Sequence, residues 1–507
     1  MSIAQVETEM LPHWIAGSSQ MQAGAETKYG EVTDSATGAV IARVPFAGQE
    51  LVASTVAAAV AAVEQWGEVS IARRSRILFR FRELLDRYSD DLARIVRREH
   101  GKVLDDARGE VARGIEVVEF ACGLGQLLKG EVSSDVSTGV DAHTRREPLG
   151  VVAGISPFNF PVMVPMWMFP VAIAAGNAFV LKPSEQDPSA SLLLAELFAE
   201  AGLPAGVLSV IHGNRATAEA LITHPDVKAI SIVGSTPAAR NVYELAARHG
   251  KRVQALGGAK NHAVVLPDAD LGLAADGIVS AAFGSAGQRC MAISVAVAVG
   301  EIADSLVTAV RDRAAALVVG PGDAPDSEMG PIISDGSRTR IVELIESGVA
   351  EGAHLVLDGR EFELPGHDGH FLGPTLFDLV DRSMRVYREE IFGPVLVVVR
   401  VADLEEAIAL INDGPYGNGA AIYTRDGASA RRFERGVDIG MIGVNVPIPV
   451  PVSYYSFGGW KDSLFGDLHM HGPDGVRFYT RGRAVTSRWP VEPAGAGSES
   501  MSFPVSR

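Results

Sequence analysis

Between Pro148 and Leu181 the chain carries no charged side chain, and this stretch limits the possible folds more than any other part of the sequence. A hydropathy window alone would read it as a membrane span. Pro157, Pro161, Pro165 and Pro170 argue against that, because each removes a helix hydrogen bond and clashes with the preceding turn. A lipid-exposed helix broken in this way would leave backbone groups unsatisfied. The stretch is therefore expected deep in a large core, as a strand, a polar-tipped loop around Asn159 and a short apolar helix.

From Val151 onward, apolar runs alternate with amphipathic stretches, the sequence sign of a parallel sheet covered by helices. Val151–Ile155, Ala178–Leu181, Val207–Ile211 and Ala229–Val233 read as strands. Asp187-Pro188 reads as a helix start with an N-cap and Pro at the first position, and Gly202 as its end. Helices are also expected over Ala216–Thr223 and after Pro237, and the alternation continues to Val253. The result is a doubly wound α/β unit. Leu51–Trp66 and Ser75–Arg97 have the apolar spacing of helices packed on that sheet. A second series, Ala303–Leu317, Thr339–Gly348, Val395–Val401, Leu404–Ile411 and Ala420–Tyr423, predicts a second α/β domain. Val132–Arg146 and Gly475–Trp489 alternate polar and apolar residues and read as exposed strands, which need a partner strand to cover their edges. The Pro-, Gly- and Ser-rich tail from Pro490 to Arg507 reads as mobile.

With 507 residues the chain needs two or three folding units. Its formal net charge of −17 and lack of any block of five Lys/Arg make nucleic acid an unfavourable partner. The segment Met1–Trp14 contains Glu7 and Glu9 and has no basic or apolar region of a signal peptide. Two Cys form no disulfide framework and neither has metal-ligand spacing, so a reducing cytoplasm and no metal are expected.

One of those Cys carries the chemistry. Cys290 lies in Gly287-Gln288-Arg289-Cys290-Met291, after the small-residue run Ser280–Ala286, where a backbone can approach a ligand closely. An isolated Cys is more often buried and inert. Its companions are Ser156-Pro157-Phe158-Asn159-Phe160-Pro161, Lys182-Pro183-Ser184-Glu185, Gly234-Ser235-Thr236, Leu256-Gly257-Gly258 and Glu389-Glu390-Ile391-Phe392-Gly393-Pro394. In this order, from roughly Trp14 to Trp489, the set resembles the aldehyde dehydrogenase superfamily. The resemblance implies an NAD-binding domain over residues 1–131 and 151–258, and a catalytic domain over 259–473. It also implies a small β oligomerisation arm over 132–150 and 474–490, a flexible tail over 491–507, and a homodimer or homotetramer.

It further implies that Cys290 attacks an aldehyde, that hydride passes to NAD, and that a thioester remains. Asn159 and the Cys290 N–H would hold the oxyanion. Ser156, Phe158, Lys182, Ser184, Glu185, Gly234, Ser235, Glu390 and Phe392 would contact the cofactor. Lys182 and Glu185 would take the adenosine ribose, Gly234 and Ser235 the pyrophosphate, and Glu390 the nicotinamide ribose. A carboxylate at Glu185 favours NAD over NADP.

Within the superfamily the chain is most similar to the CoA-acylating methylmalonate-semialdehyde dehydrogenase branch, which also accepts malonate semialdehyde. The segments that carry this are Arg113–Ala121, Gly258-Ala259-Lys260-Asn261-His262, Gln288–Ala292 and Phe478–Trp489. Hydrolytic relatives carry Glu before Leu-Gly-Gly. Here that place reads as Ala255, after Gln254, so the water-activating base is missing and CoA is the implied acceptor. The branch implies oxidative decarboxylation, to propionyl-CoA or acetyl-CoA. Arg113 and Arg289 would pair with the substrate carboxylate, with Arg108 competing with Arg113 for that role. His262 reads as a structural histidine. Two other readings stay open at this stage: a hydrolytic enzyme using Glu390 or another base, and a dehydrogenase retired to binding.

Overall fold

A computed structural model describes residues 8–22 and 27–489, so the expected mobility of the 490–507 tail falls outside the described residues. Three of the five sheets among the described residues organise the chain. The first has eight strands in the order Leu464–Phe465, Arg252–Leu256, Val227–Val233, Val151–Ile155, Ala178–Lys182, Leu208–Val210, His13–Ile15, Ser18–Gln20. Its five central strands are parallel. The chain order reverses between Val151–Ile155 and Val227–Val233, and in a doubly wound sheet ligands bind beyond the carboxyl ends of strands at such a switch point.

The charge-free stretch lies in the core of this unit. Val151–Ile155 is buried along its whole length, as is the helix Met163–Ala174. Pro165 falls in the first turn, where no intrahelical N–H is needed, whereas Pro170 sits inside the helix and costs roughly 3 kcal/mol. Burial of Met166, Trp167 and Phe169 offsets that, at about 1.5–3 kcal/mol for each large side chain.

The second sheet has seven strands, His354–Leu357, Thr375–Asp378, Val395–Val401, Ile293–Val299, Asn261–Val265, Gly419–Tyr423 and Met441–Val444, all parallel except the first. The third sheet pairs Thr480–Arg488 with Val140–Pro148, and that strand with Val132–Ser137.

Several elements depart from the sequence expectations. Ser75–Arg97 is not one helix: Ile71–Arg87 and Ser89–His100 meet at Tyr88. There the Ser89 hydroxyl bonds the Asp86 carbonyl and competes with the helical ladder. Asp187 is buried and does not cap the helix Ser189–Glu200; the carboxylate of Glu99 accepts the Ser189 N–H instead, at 3.1 Å. Val132–Arg146 is a hairpin of two strands, turned at Gly139. Only Thr480–Arg488 of the last segment is strand, because Pro473 and Asp474 begin a short helix, Gly472–Phe478. Leu464–Phe465, read from sequence as part of the second domain, adds to the edge of the first sheet. The small sheet of Glu9–Met10, Tyr29–Thr33 and Val40–Pro45 was not foreseen.

Candidate active site

A cleft of 1210 Å³ opens at the switch point of the first sheet, larger than the roughly 300–1,000 Å³ of most small-molecule sites. Ile155, Ser156, Phe158, Ile232, Gly234 and Ser235 line one wall, and Cys290, Glu390 and Phe392 line the other. Asn159, Lys182, Ser184 and Glu185 also reach it. Residues from five separate motifs thus share one cavity.

Cys290 stands at the head of three neighbouring strands of the second sheet. The preceding residues Ser285 and Ala286 adopt φ of 53° and 51°, and Gly287 follows at 69°. A Cβ at Gly287 would collide with the Gly393 carbonyl, so the turn needs glycine there. Burial, and then the Glu390 charge, push the Cys290 thiol up to about 12, while the N–H groups of Cys290 and Met291 and the cation of Lys102 pull the other way. The resting side chain is a thiol that must lose its proton to react.

Asn159 is held from below by a buried ion pair. Lys102 Nζ donates to the Asn159 carbonyl at 2.5 Å and to Glu110 at 2.5 Å, and it lies 4.0 Å from the Phe160 ring centroid. The other Glu110 oxygen accepts the N–H groups of Val162 and Met163, capping the apolar helix. The Asn159 carboxamide itself takes no protein partner among the described residues, which leaves its N–H groups for a ligand.

The loop bearing Glu390 is gripped from two sides. Lys260 donates to the carbonyls of Val386 and Glu389, and Arg340 to those of Glu390 and Ile391. Burial lowers Lys260 to about 7. These contacts hold Phe392 at φ 58°, a strained value for a bulky residue, where its ring meets Phe158 edge-on at 5.8 Å between centroids. One Glu390 oxygen accepts the Ala259 N–H at 2.8 Å, and burial raises the carboxyl above its usual range.

Lys182 has spent its three donors on Pro183, Gly213 and Glu185. Glu185 is half-exposed and keeps acceptor capacity towards the cleft. Ser184 accepts the Gln186 N–H, and Ser235 caps the helix Thr236–Arg248 without a side-chain cap bond. The apolar floor of Ala218, Ile222 and Val242, a free carboxylate and a helix N-terminus together fit a dinucleotide.

Residues 22–485 match the aldehyde dehydrogenase family model. The chain belongs to the aldehyde dehydrogenase family. It is similar to malonate-semialdehyde dehydrogenase of Pseudomonas aeruginosa, with 53% identity over 476 residues, 94% of this chain and 96% of the relative. A crystal structure of methylmalonate-semialdehyde dehydrogenase from Oceanimonas doudoroffii superposes with a TM-score of 0.94 at 49% identity, covering 96% of this chain and 99% of that one. A Sinorhizobium meliloti protein crystallised with NAD gives 0.95 at 50% identity, over the same shares of the two chains.

As a member of this family the chain has three features that bear on its sequence reading. Arg113 and Arg289 do not line the large cleft. Arg289 lines a small cavity beside Cys290 and is bound to Asp106 at 2.6 Å, while Arg113 is bound to Glu116 at 2.6 Å and to the Pro451 carbonyl at 2.8 Å. Arg108 is drawn into an exposed ion pair with Asp90 and Asp105. Second, Ala255 is fully buried in its strand and packs in one cluster with Ile155 and Ile232, two residues that also line the cleft onto which Cys290 opens. The position carries no carboxylate. Third, sequence reasoning missed Lys102, Asp106, Glu110, Arg340 and Asn418. Asn261 and Lys260 stood in a quoted segment without a role, and His262 beside them is buried, lowered to about 3 by burial, and bonded to the Tyr387 hydroxyl.

Proposed function

We propose that this oxidoreductase converts methylmalonate semialdehyde to propionyl-CoA, malonate semialdehyde to acetyl-CoA, or both, with NAD as oxidant and CoA as acyl acceptor. The observation that carries the proposal is the wall around Cys290. The nucleophile opens onto a dinucleotide-sized cleft, and the place before Leu256-Gly257-Gly258 that would carry a water-activating carboxylate holds Ala255, after Gln254. The similarity to enzymes named for these two semialdehydes supports the substrate class.

The Cys290 sulfur, after losing its proton, bonds the aldehyde carbon, and the carbonyl oxygen takes up negative charge. The Asn159 carboxamide and the Cys290 N–H stabilise that oxygen. Bound NAD would supply the hydride acceptor for the tetrahedral carbon. Glu185 and Glu390 would hold its ribose hydroxyls, Gly234 and Ser235 its pyrophosphate, with Ser156, Phe158, Lys182, Ser184 and Phe392 completing the pocket. The thioester left on Cys290 has no nearby base to direct water at it. The sulfur of CoA, its proton lost to solvent, bonds the acyl carbon while the bond to the Cys290 sulfur breaks, which frees the Cys290 thiolate, and no carboxylate is needed for this. Arg289 and Arg113 hold the substrate carboxylate, exchanging Asp106 and Glu116 for it, until the C–C bond breaks; carbon dioxide leaves, its bonding pair stays as a thioester enolate, and a proton from solvent completes the propionyl or acetyl group.

Residues 1–131 and 151–258 form the cofactor domain in this reading and 259–473 the catalytic domain. The arm strands carry a homodimer or homotetramer through their exposed edge. We place the enzyme in the cytoplasm, whose reducing conditions suit two free cysteines. Among the described residues no helix is long and apolar enough to cross a membrane.

Turnover of each semialdehyde with NAD, with and without CoA, tests the proposal. Sustained NADH formation should require CoA and give an acyl-CoA, while CoA-free enzyme should stop after about one NADH per site. Ala255→Glu should divert part of the product to free acid. Rapid steady-state NADH formation without a thiol, with free acid as the main product, overturns the acylating reading.

A further inference from the structure

We propose that Asn261 and Asn418 are positioning residues that lock the peptide between Cys290 and Met291 in the orientation the nucleophile requires. The proposal rests on the reading of Cys290 as nucleophile. The Nδ2 amides of both residues converge on one atom, the Cys290 carbonyl oxygen, at 2.9 Å from Asn261 and 3.0 Å from Asn418. A carbonyl oxygen has two lone pairs, and both are taken.

Neither amide is free to swing. Asn261 spends its second N–H on the Ala292 carbonyl at 2.9 Å, and its own oxygen accepts the Gly419 N–H at 3.0 Å. Asn418 directs its second N–H at the Met291 sulfur, 2.9 Å away. Both side chains are buried, so these bonds do not compete with bulk water. Asn261 opens one strand and Asn418 immediately precedes the adjacent parallel one, since His262 pairs with Ala420, and the strand that begins at Ile293 lies on the other side of Asn261–Val265. The amides therefore brace the backbone where it enters the sheet.

A trans peptide is planar, with its C=O and N–H on opposite sides, so fixing the Cys290 oxygen also fixes the direction of the Met291 N–H. That N–H and the Cys290 N–H act on the Cys290 sulfur and favour its thiolate. Burial and the Glu390 carboxylate oppose them, and the Lys102 ammonium assists them. Letting the peptide rotate would remove one of the few influences that favour the reactive form.

The test uses the full-length enzyme and iodoacetamide, with alkylation at Cys290 followed by mass spectrometry across a pH series. NADH formation in the first turnover is followed in parallel. Asn418→Asp keeps the shape but turns a donor into a carboxylate that repels the Cys290 oxygen. It should move the alkylation midpoint to higher pH and slow the first turnover by about tenfold or more, the scale of one buried hydrogen bond. Asn418→Ala, which only removes the donor, should do less, and KM for NAD should stay unchanged in both. A role in packing alone predicts the reverse ranking, with Asp close to wild type and Ala impaired, and that result overturns the proposal. If Asn418→Asp does not fold, Asn261→Ser and Asn418→Ser decide: a wild-type midpoint and burst in both overturns it. Cys290→Ala separates the two layers. Loss of turnover there, beside a wild-type-like Asn418→Asp, sinks the positioning role alone, whereas turnover retained in Cys290→Ala removes the nucleophile reading and this one with it.

Discussion

The two walls of the cleft treat their polar groups in opposite ways. On the wall built from the first sheet, the Ser156 hydroxyl has no partner among the described residues, Ser235 makes no side-chain cap bond, and Glu185 stands half in solvent. On the wall built from the second sheet most donors and acceptors around Cys290 are paired off, the Ser285 hydroxyl and the Gln288 amide N–H excepted: Asn261 and Asn418 on its carbonyl, Asp106 on both Arg289 and the Ser285 N–H, Lys260 and Arg340 on the Glu390 loop. Buried polar groups normally find partners, so an open set is suited to receiving a ligand and a closed set to keeping a shape. The reaction needs both, because the cofactor must come and go while the sulfur must stay within reach of the carbonyl carbon.

The sharpest way to break this contrast is at Lys102, the cation shared by Glu110 and the Asn159 carbonyl. Lys102→Met leaves Glu110 buried without its counter-ion and should cost about 3–5 kcal/mol of stability. Lys102→Met with Glu110→Leu should cost less than Lys102→Met alone. Urea unfolding measures both, and a single variant as stable as wild type would show that the pair does not brace the loop.

A smaller effect sharpens the contrast on the closed wall. Arg289→Ala and Arg113→Ala should each reduce kcat/KM for a semialdehyde bearing a carboxylate by roughly 10- to 150-fold relative to propanal, the equivalent of about 1.5–3 kcal/mol for a hydrogen bond to a charged group. An equal loss for both aldehydes would mean that Asp106 and Glu116 are the only partners these arginines serve. The smallest effect belongs to the open wall. Glu185→Gln should narrow the preference for NAD over NADP by roughly fivefold, close to 1 kcal/mol for a half-exposed carboxylate. An unchanged cofactor ratio in steady-state kinetics would show that Glu185 does not meet the ribose.

The open wall was legible in the sequence because its residues belong to short contiguous motifs. Ser156 to Asn159 and Lys182 to Glu185 each follow a buried strand, and period and turn chemistry locate both. The closed wall was not, because its contacts join residues far apart in the chain. Asp106 meets Arg289 across 183 positions and Asn418 meets Cys290 across 128, and no local pattern encodes either contact. The doubly wound order of strands could be read from alternation, whereas the hairpin at Gly139 could not, because both of its strands share one polar-apolar rhythm.

The route of the chain through the first sheet also bears on how the protein is made. Its five central strands are complete by Leu256, yet the strand Arg252–Leu256 is covered at its edge only by Leu464–Phe465. The buried Asn177 donates to the Tyr479 carbonyl, and Arg252 to the carbonyls of Phe478 and Thr480. During synthesis, at about 5–20 residues per second, this edge therefore waits at least ten seconds for its cover. An uncovered parallel edge is a template for pairing with another chain. A nascent or truncated product ending before Leu464 is thus the species most exposed to aggregation, and the closing segment guards against it as well as completing the fold.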